Sequence, residues 1–292
     1  MSAIDTLKDD IPVTRVRAAS GWAALDVGEL WHYRELFGFL IWRDVKVRYK
    51  QTALGLLWAI IGPVMSTIIF AFIFGNLAKL PSDGLPATVF YMMGIVIWRY
   101  FATSLSAASN SLVGNQNLLT KIYLPRLMIP ASSIATALVD FCIAFCLLIG
   151  VMLYYKTAPS WTIVFVPALV VITMALSLGV GSFFAALNVR FRDVREVVPF
   201  IMQIWMYLTI IVPFSEIDKR FASWGALRYL YGLNPMAGVV EGMRWLLARH
   251  AMAETTQPPW VLIATGLPVA VALLFAGLYY FKRVERRFAD II

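Results

Sequence analysis

Six apolar stretches, roughly 53–78, 87–113, 127–153, 162–187, 197–214 and 260–281, alternate with polar segments along this 292-residue chain. A hydrocarbon core about 30 Å thick is crossed by ~20 apolar residues in a helix rising ~1.5 Å per residue. Five of the stretches meet that length, and 197–214 is marginal. The pattern predicts an all-α integral membrane protein with six transmembrane helices, in a domain running from residue 53 to 292.

Two further segments have a helical period but too much charge to span. From Glu29 to about Lys50, Leu30, Tyr33, Phe37, Leu40 and Ile41 recur at three- and four-residue steps, with Glu29, His32, Glu35 and Arg43 interleaved. This predicts an amphipathic interface helix over 29–52, with Trp31, Trp42 and Tyr49 at headgroup level. A soluble helix packed on a partner is compatible with the same pattern. The second segment is 215–259. Within it Asn234-Pro235 is a helix start, with Asn as the cap and Pro at the first helical position. Met236, Val239, Val240, Met243, Leu246 and Leu247 then mark one face. With Leu227, Tyr229, Leu230, Tyr231 and Leu233 just before, two short amphipathic helices on the outer side are expected. Residues 1–28 have no sustained apolar period and read as a cytoplasmic leader.

Local features inside the spans sharpen the picture. Gly62-Pro63 is expected to kink the first span, because proline removes one backbone hydrogen bond and clashes one turn back. Ser177, Gly181 and Ala185 form a small-residue stripe in the fourth, suited to close packing within the protomer. Cys142 and Cys146 lie one turn apart in the third, without other soft ligands, and read as small buried apolar residues. Asp140 is the acid within a span. It is either functional or satisfied by Ser, Thr or backbone groups of neighbouring helices.

A composition of 60% hydrophobic residues and a mean hydropathy of +0.75 exclude a soluble globular reading. The first fifty residues lack the apolar run of a cleaved signal peptide, so the first span is expected to be its own insertion signal. The net charge of +8 could suggest nucleic acid, but its distribution argues otherwise. Lys8, Arg15, Arg17, Arg34, Arg43, Lys46, Arg48 and Lys50 precede the first span. Lys121 and Arg126 follow the second, Arg190, Arg192 and Arg195 the fourth, and Lys282, Arg283, Arg286 and Arg287 close the chain. The short loops on the other side carry Lys79 and Lys156. This asymmetry predicts both termini in the cytoplasm, with attraction to anionic membrane lipids as a second effect and no nucleic-acid partner.

Catalytic machinery is hard to find. Neither His32 nor His250 has an aspartate four residues on, there is no Gly-x₄-Gly-Lys-Ser/Thr phosphate loop, and no carboxylate pair sits beside a base. The chain is expected not to be an enzyme, to hold no cofactor or metal, and not to hydrolyse ATP itself.

Four local patterns carry a resemblance. They are Arg48-Tyr49-Lys50-Gln51-Thr52-x-Leu54-Gly55-x-Leu57-Trp58 with Pro63; Asn117-Leu118-Leu119-Thr120-Lys121-Ile122-Tyr123-Leu124-Pro125-Arg126; Phe191-Arg192-Asp193-Val194 with Pro199; and Asn234-Pro235-Met236 with Glu241-x-x-Arg244. In this order, over residues 30–285, the chain resembles the membrane subunits of type-2 ABC exporters of bacterial polysaccharides, the Wzm/KpsM-like permeases. One departure is Val212-Pro213, where such a subunit would carry Ser-Pro. The resemblance implies a homodimer in the bacterial inner membrane, bound to two copies of a separate ATPase that holds ATP and Mg. It also implies an N-terminal interface helix and a pair of outer-side gate helices in 215–259. The cargo it implies is a lipid-linked polysaccharide, O-antigen first. Teichoic acid, capsule, a lipid or a drug are alternatives on the same architecture, and a membrane transferase or scaffold is a reading from a different class.

Segment 117–126 resembles the helix that couples such a permease to its ATPase. Leu118, Leu119 and Ile122 present an apolar face, Lys121 and Arg126 offer charge, Tyr123 lies between them, and Pro125 ends the element; an ordinary basic loop is the plainer reading. An anionic lipid diphosphate needs cationic partners at the cytoplasmic membrane surface. Topology puts Arg43, Lys46, Arg48, Lys50, Arg190 and Arg192 there, where simple anchoring explains each equally well. Sugars stack on flat aromatic faces, and in this family the first and fifth spans would line a pore. Trp58, Phe70, Trp205 and Tyr207 are the expected lining, with lipid contact as the alternative for each.

Overall fold

The computed structural model describes residues 32–50, 55–116, 118, 124–191, 193–211, 213–216, 225–253 and 258–285. Among them the fold is entirely helical. The elements are α1 (Arg34–Lys50), α2 (Leu57–Phe70), continued by a π-helical segment (Ala71–Leu77), α3 (Ala87–Gly114), α4 (Met128–Tyr154), α5 (Val166–Arg190), α6 (Val194–Ile210), α7 (Gly225–Gly232), α8 (Pro235–Ala248) and α9 (Trp260–Glu285). A short 3₁₀ turn (Trp161–Phe165) leads into α5.

Among the described residues five helices are long and apolar enough to cross a membrane: Leu57–Leu77, Ala87–Gly114, Met128–Tyr154, Trp161–Arg190 and Trp260–Glu285. They are not equivalent. In the most apolar part of α3, 78% of the residues are buried inside the protein, against 22% to 39% for the other four. α3 is therefore the axis, packed mainly by α4 and α5, while α9 lies along α5. The outer faces of the surrounding helices expose Trp58, Met65 and Ile68 on α2, Phe72 on its π-helical continuation, Phe200, Ile204 and Leu208 on α6, and Leu267, Val271 and Phe275 on α9. So much exposed apolar surface suits lipid as its solvent.

Small residues set the closest approaches. A Cβ on Gly277 of α9 would run into the backbone carbonyl of Gly179 on α5, so the two backbones touch there. The stripe Ser177, Gly181 and Ala185 turns inward, and a Cβ on Gly181 would lie 2.7 Å from the Cβ of Ala108 on α3. Hydroxyls inside the apolar helices fold back on their own backbone: Thr136 donates to the Ser132 carbonyl at 2.8 Å and Thr173 to Leu169 at 2.8 Å. Pro63 is buried within α2, and the departure from α-helical geometry begins at Ala71, two turns further on.

One expectation is corrected. Cys142 and Cys146 are free thiols on the exposed face of α4, not buried ones. In a bilayer the outside of a helix is as apolar as the inside, so apolar character cannot tell lipid-facing from protein-facing positions.

The two ends of the bundle differ. At one end α1 docks Tyr33, Leu36 and Phe37 onto a cluster of Leu112, Leu127, Met128, Ala185, Leu278 and Phe281. At the other end the connections meet each other. The Ser160 N–H donates to the Leu247 carbonyl at 2.8 Å, the Ala253 N–H to the Asp83 carbonyl at 2.9 Å, and the Ser215 hydroxyl to the Asp83 carboxylate at 2.5 Å. α8, with Asn234 capping its start, lies at this second end and packs on α3, α5 and α9.

Candidate functional site

The C-terminal end of α1 leans onto α4, and α2 begins a few residues later. Between them and α3 lies a cavity of about 300 Å³, lined by Arg48, Tyr49, Trp58, Arg99, Tyr100 and Asp140, among others. Asp140, on α4, accepts an ion pair from the Arg48 guanidinium and a hydrogen bond from the Tyr49 hydroxyl. Burial is the main reason that the Tyr49 hydroxyl holds its proton well above the usual phenol range, and the Asp140 carboxylate adds to it. Asp140 is thus satisfied by the end of α1 rather than by Ser, Thr or backbone groups of neighbouring spans.

Arg99 is the residue that sequence reasoning missed. It sits in the middle of α3, between Trp98 and Tyr100, with its side chain exposed on the cavity. Among the described residues no hydrogen bond or ion pair reaches it. The signal was present: a charged residue inside a span is rare and functional by default. That rule applies to bases as well as acids, and it marks Arg99 as it marks Asp140.

The other expected headgroup residues are scattered. Arg43 donates to Asp44 at 2.7 and 2.9 Å and to the Asn115 side chain at 2.9 Å, tying α1 to the end of α3. Lys46 stands over the Trp42 ring at 4.4 Å. Lys50 and Arg190 are exposed, and the Arg190 guanidinium lies 5.0 Å from the centre of the Phe191 ring. Arg192 falls outside the described residues. Of the coupling segment, Leu118 is half-buried against the cluster under α1, and Arg126 donates to the Glu285 carbonyl at 2.5 Å. Leu119, Lys121, Ile122 and Tyr123 fall outside the described residues.

The four aromatics separate in a similar way. Trp58 is 58% exposed and lines the cavity. Phe70 is buried and stacks on the half-exposed Tyr207, with ring centres 6.1 Å apart and planes 8° apart. Trp205 turns inward, edge-on to Trp98 and Phe101, and its indole N–H donates to the Asn234 side chain at 2.8 Å.

That Asn234 carbonyl oxygen also accepts the Met236 N–H at 3.1 Å, so one side chain both caps α8 and ties it to α6. A second tie is ionic. Arg244 is wholly buried, donating to Glu241 at 2.8 Å and to the Ile210 carbonyl at the end of α6 at 2.9 Å. Its guanidinium lies 3.7 Å from the centre of the Phe90 ring. Glu241 accepts the Phe214 N–H at 3.1 Å. Burial pushes the Glu241 carboxyl up from the ordinary range, with Arg244 pulling it back and Asp83 adding to the rise. The Glu-x-x-Arg pair thus fastens α8 to the end of α6 and to α3.

The structure is thus a bundle of apolar spans with a charged cavity midway along α3 and α4 and with the short helix α8 fastened at one end of the bundle. Residues 35–248 match the ABC-2 type transporter family, and the chain belongs to it. The chain is 28% identical over 268 residues to an O-antigen export system permease protein, RfbA, of Myxococcus xanthus, covering 91% of this chain and 98% of the relative. It is 27% identical over 251 residues to RfbA of Klebsiella pneumoniae, covering 86% and 92%. It is also similar to the polysialic acid transport protein KpsM of Escherichia coli, at 25% over 254 residues, covering 84% and 92%.

Proposed function

We propose that this chain is the membrane half of an ATP-driven exporter that carries a lipid-linked polysaccharide, O-antigen first among the choices, across the bacterial inner membrane. It works as a homodimer with two copies of a separate ATPase. The observation that carries the reading is the cavity holding Arg48, Arg99 and Trp58 where the interface helix passes into the first span. An uncharged drug or lipid has no use for guanidinium groups inside the bundle, whereas a glycan on an anionic lipid carrier brings charge for them to meet. The polysaccharide exporters among the relatives support the same cargo class.

In this reading α1 lies along the cytoplasmic surface, both termini are cytoplasmic, and α6 is the fifth of six crossings. Segment 117–126 receives the stroke of the ATPase, with Leu119 and Ile122 seated in it. α7 and α8 form the outer gate, and Trp58 and Tyr207 offer ring faces to the sugar chain. ATP and Mg are bound by the partner. Capsular polysaccharide is the second choice, and the likeness to a polysialic acid transport protein favours a polysaccharide cargo over a lipid or a drug.

The test is genetic and biochemical. Deleting the gene removes the surface glycan while its lipid-linked precursor accumulates inside, and a plasmid copy restores display. Leu119→Asp or Ile122→Asp in that copy abolishes co-purification with the ATPase and export together. Normal glycan display in the deletion strain overturns the reading, and normal export by both aspartate variants overturns the coupling assignment.

A further inference from the structure

The cavity beside α1 holds two guanidinium groups and one carboxylate, and they are not evenly matched. Asp140 is engaged by Arg48 and Tyr49, while Arg99 lines the same cavity with no ion-pair partner among the described residues. One positive charge is left over inside an apolar span. Such a charge is costly in hydrocarbon and persists where it faces water or meets an anion. The cavity volume of about 300 Å³ is at the lower end of ordinary ligand sites. The Trp58 ring adds an apolar wall, while the Tyr49 hydroxyl is spent on Asp140.

We propose that this cavity binds the phosphate of a lipid headgroup, with Arg99 as the first contact, and that Asp140 is a built-in competitor which only a diphosphate displaces. The idea rests on the export reading for the source of the ligand, and its argument is one of charge. A phosphodiester of a bulk phospholipid carries a single negative charge, which Arg99 alone neutralises, so the Arg48–Asp140 pair stays closed. A diphosphate carries at least one charge more, and its second phosphate draws Arg48 away from Asp140 into a charge-assisted contact. Asp140 then keeps the Tyr49 hydroxyl as its remaining donor. The end of α1 is thereby released from α4 when a diphosphate arrives and held to it when an ordinary lipid does. The exchange is purely ionic, and discrimination comes from the repulsion that Asp140 imposes on any anion too weakly charged to win Arg48.

The full-length chain in phosphatidylcholine nanodiscs, titrated with farnesyl diphosphate or with short-chain phosphatidylglycerol, tests this. Farnesyl diphosphate binds the wild type more tightly than phosphatidylglycerol does. Arg99→Gln weakens both by about tenfold or more, and Arg99→Lys keeps most of the binding, which separates lost charge from lost fold. Asp140→Asn tightens both ligands and narrows the gap between them, because Arg48 is then available to a single phosphate. Arg99→Gln and Arg99→Lys binding both ligands as the wild type does overturns the site. Asp140→Asn weakening the diphosphate, or leaving the gap unchanged, overturns the competitor role. The export reading stands or falls separately. Normal glycan display without the gene sinks export and leaves the site intact, whereas gene-dependent display with unchanged binding in these variants sinks the site and leaves export.

Discussion

Arg244 carries a full charge with none of its side chain exposed, and the room for it is made by Gly94, where a Cβ would come within 3.1 Å of the guanidinium. Such a charge is held by its partners together, so removing either partner strands the other. Arg244→Met leaves Glu241 buried and unpaired, and Glu241→Gln leaves Arg244 so. Each is expected to cost about 3–5 kcal/mol, with the double variant recovering part of that. Thermal unfolding in detergent, followed by the loss of the monodisperse peak, measures it. Equal midpoints for the single variants and the wild type would show that the pair holds nothing together. At this scale the sequence was legible wherever a residue type was unusual for its surroundings. Asp140 and the Glu241-x-x-Arg244 spacing stood out for that reason. The partners did not, because which arginine reaches which acid depends on how α1 leans against α4 and how α6 ends beside α8. The outward turn of Cys142 and Cys146 was illegible for a different reason, since lipid and protein interior favour the same side chains.

Among the elements, α8 was the most completely readable. Asn234-Pro235 marks its start, and of the predicted face Met236, Val239, Val240, Met243 and Leu247 are buried and Leu246 is half-buried. Ala237, Gly238, Glu241 and Arg244 are buried too, so the helix is enclosed on more sides than the expected amphipathic one. The sequence could not reveal that the cap has a second task. Asn234 accepts the Trp205 indole N–H, and its amide donates to the Thr209 hydroxyl at 2.9 Å, so it joins α8 to α6. An ordinary N-cap replaced by alanine costs ~1 kcal/mol. Asn234→Ala should cost more, roughly 2–3 kcal/mol, because a buried indole N–H and the hydroxyl of Thr209 lose a partner with it. Asn234→Asp retains the cap and the indole contact but not the amide donor, and should fall between. The same unfolding assay reads both. A loss from Asn234→Ala no larger than that of a simple cap would mean that the contact between α6 and α8 is carried elsewhere. α1 was readable as a helix for a similar reason, but its two faces were not. Tyr33, Leu36 and Phe37 serve the protein while Phe39 and Trp42 stay exposed, and an apolar residue on either side satisfies the same period.

The number of crossings is a property of the whole molecule, and α6 decides it. Its 17 residues cover about 26 Å at ~1.5 Å each, a little short of a ~30 Å hydrocarbon core. Length alone therefore leaves five crossings. The contacts favour six. α6 begins four residues after α5 ends at Arg190, and it finishes where the Ile210 carbonyl meets Arg244. That meeting lies at the end of the bundle where Asp83, Ser160 and Ala253 are joined, opposite the end where α1 docks. In the proposed reading a helix running from one end to the other is a crossing, and a bilayer thins locally by a few ångströms at modest cost to accept a short span. Single cysteines in intact cells, in a background with Cys142 and Cys146 replaced by alanine, provide the measurement. With six crossings, Lys156→Cys and Arg249→Cys react with a membrane-impermeant maleimide from outside, and Lys50→Cys, Arg190→Cys and Lys282→Cys react only after the membrane is opened. With five crossings Arg249 would share the side of Arg190, and Lys282 would lie opposite. The pair Arg249 and Lys282 thus discriminates without reference to α6 itself. Labelling of Lys282→Cys from outside would place the C-terminal tail beyond the membrane and with it remove α7 and α8 from the outer gate.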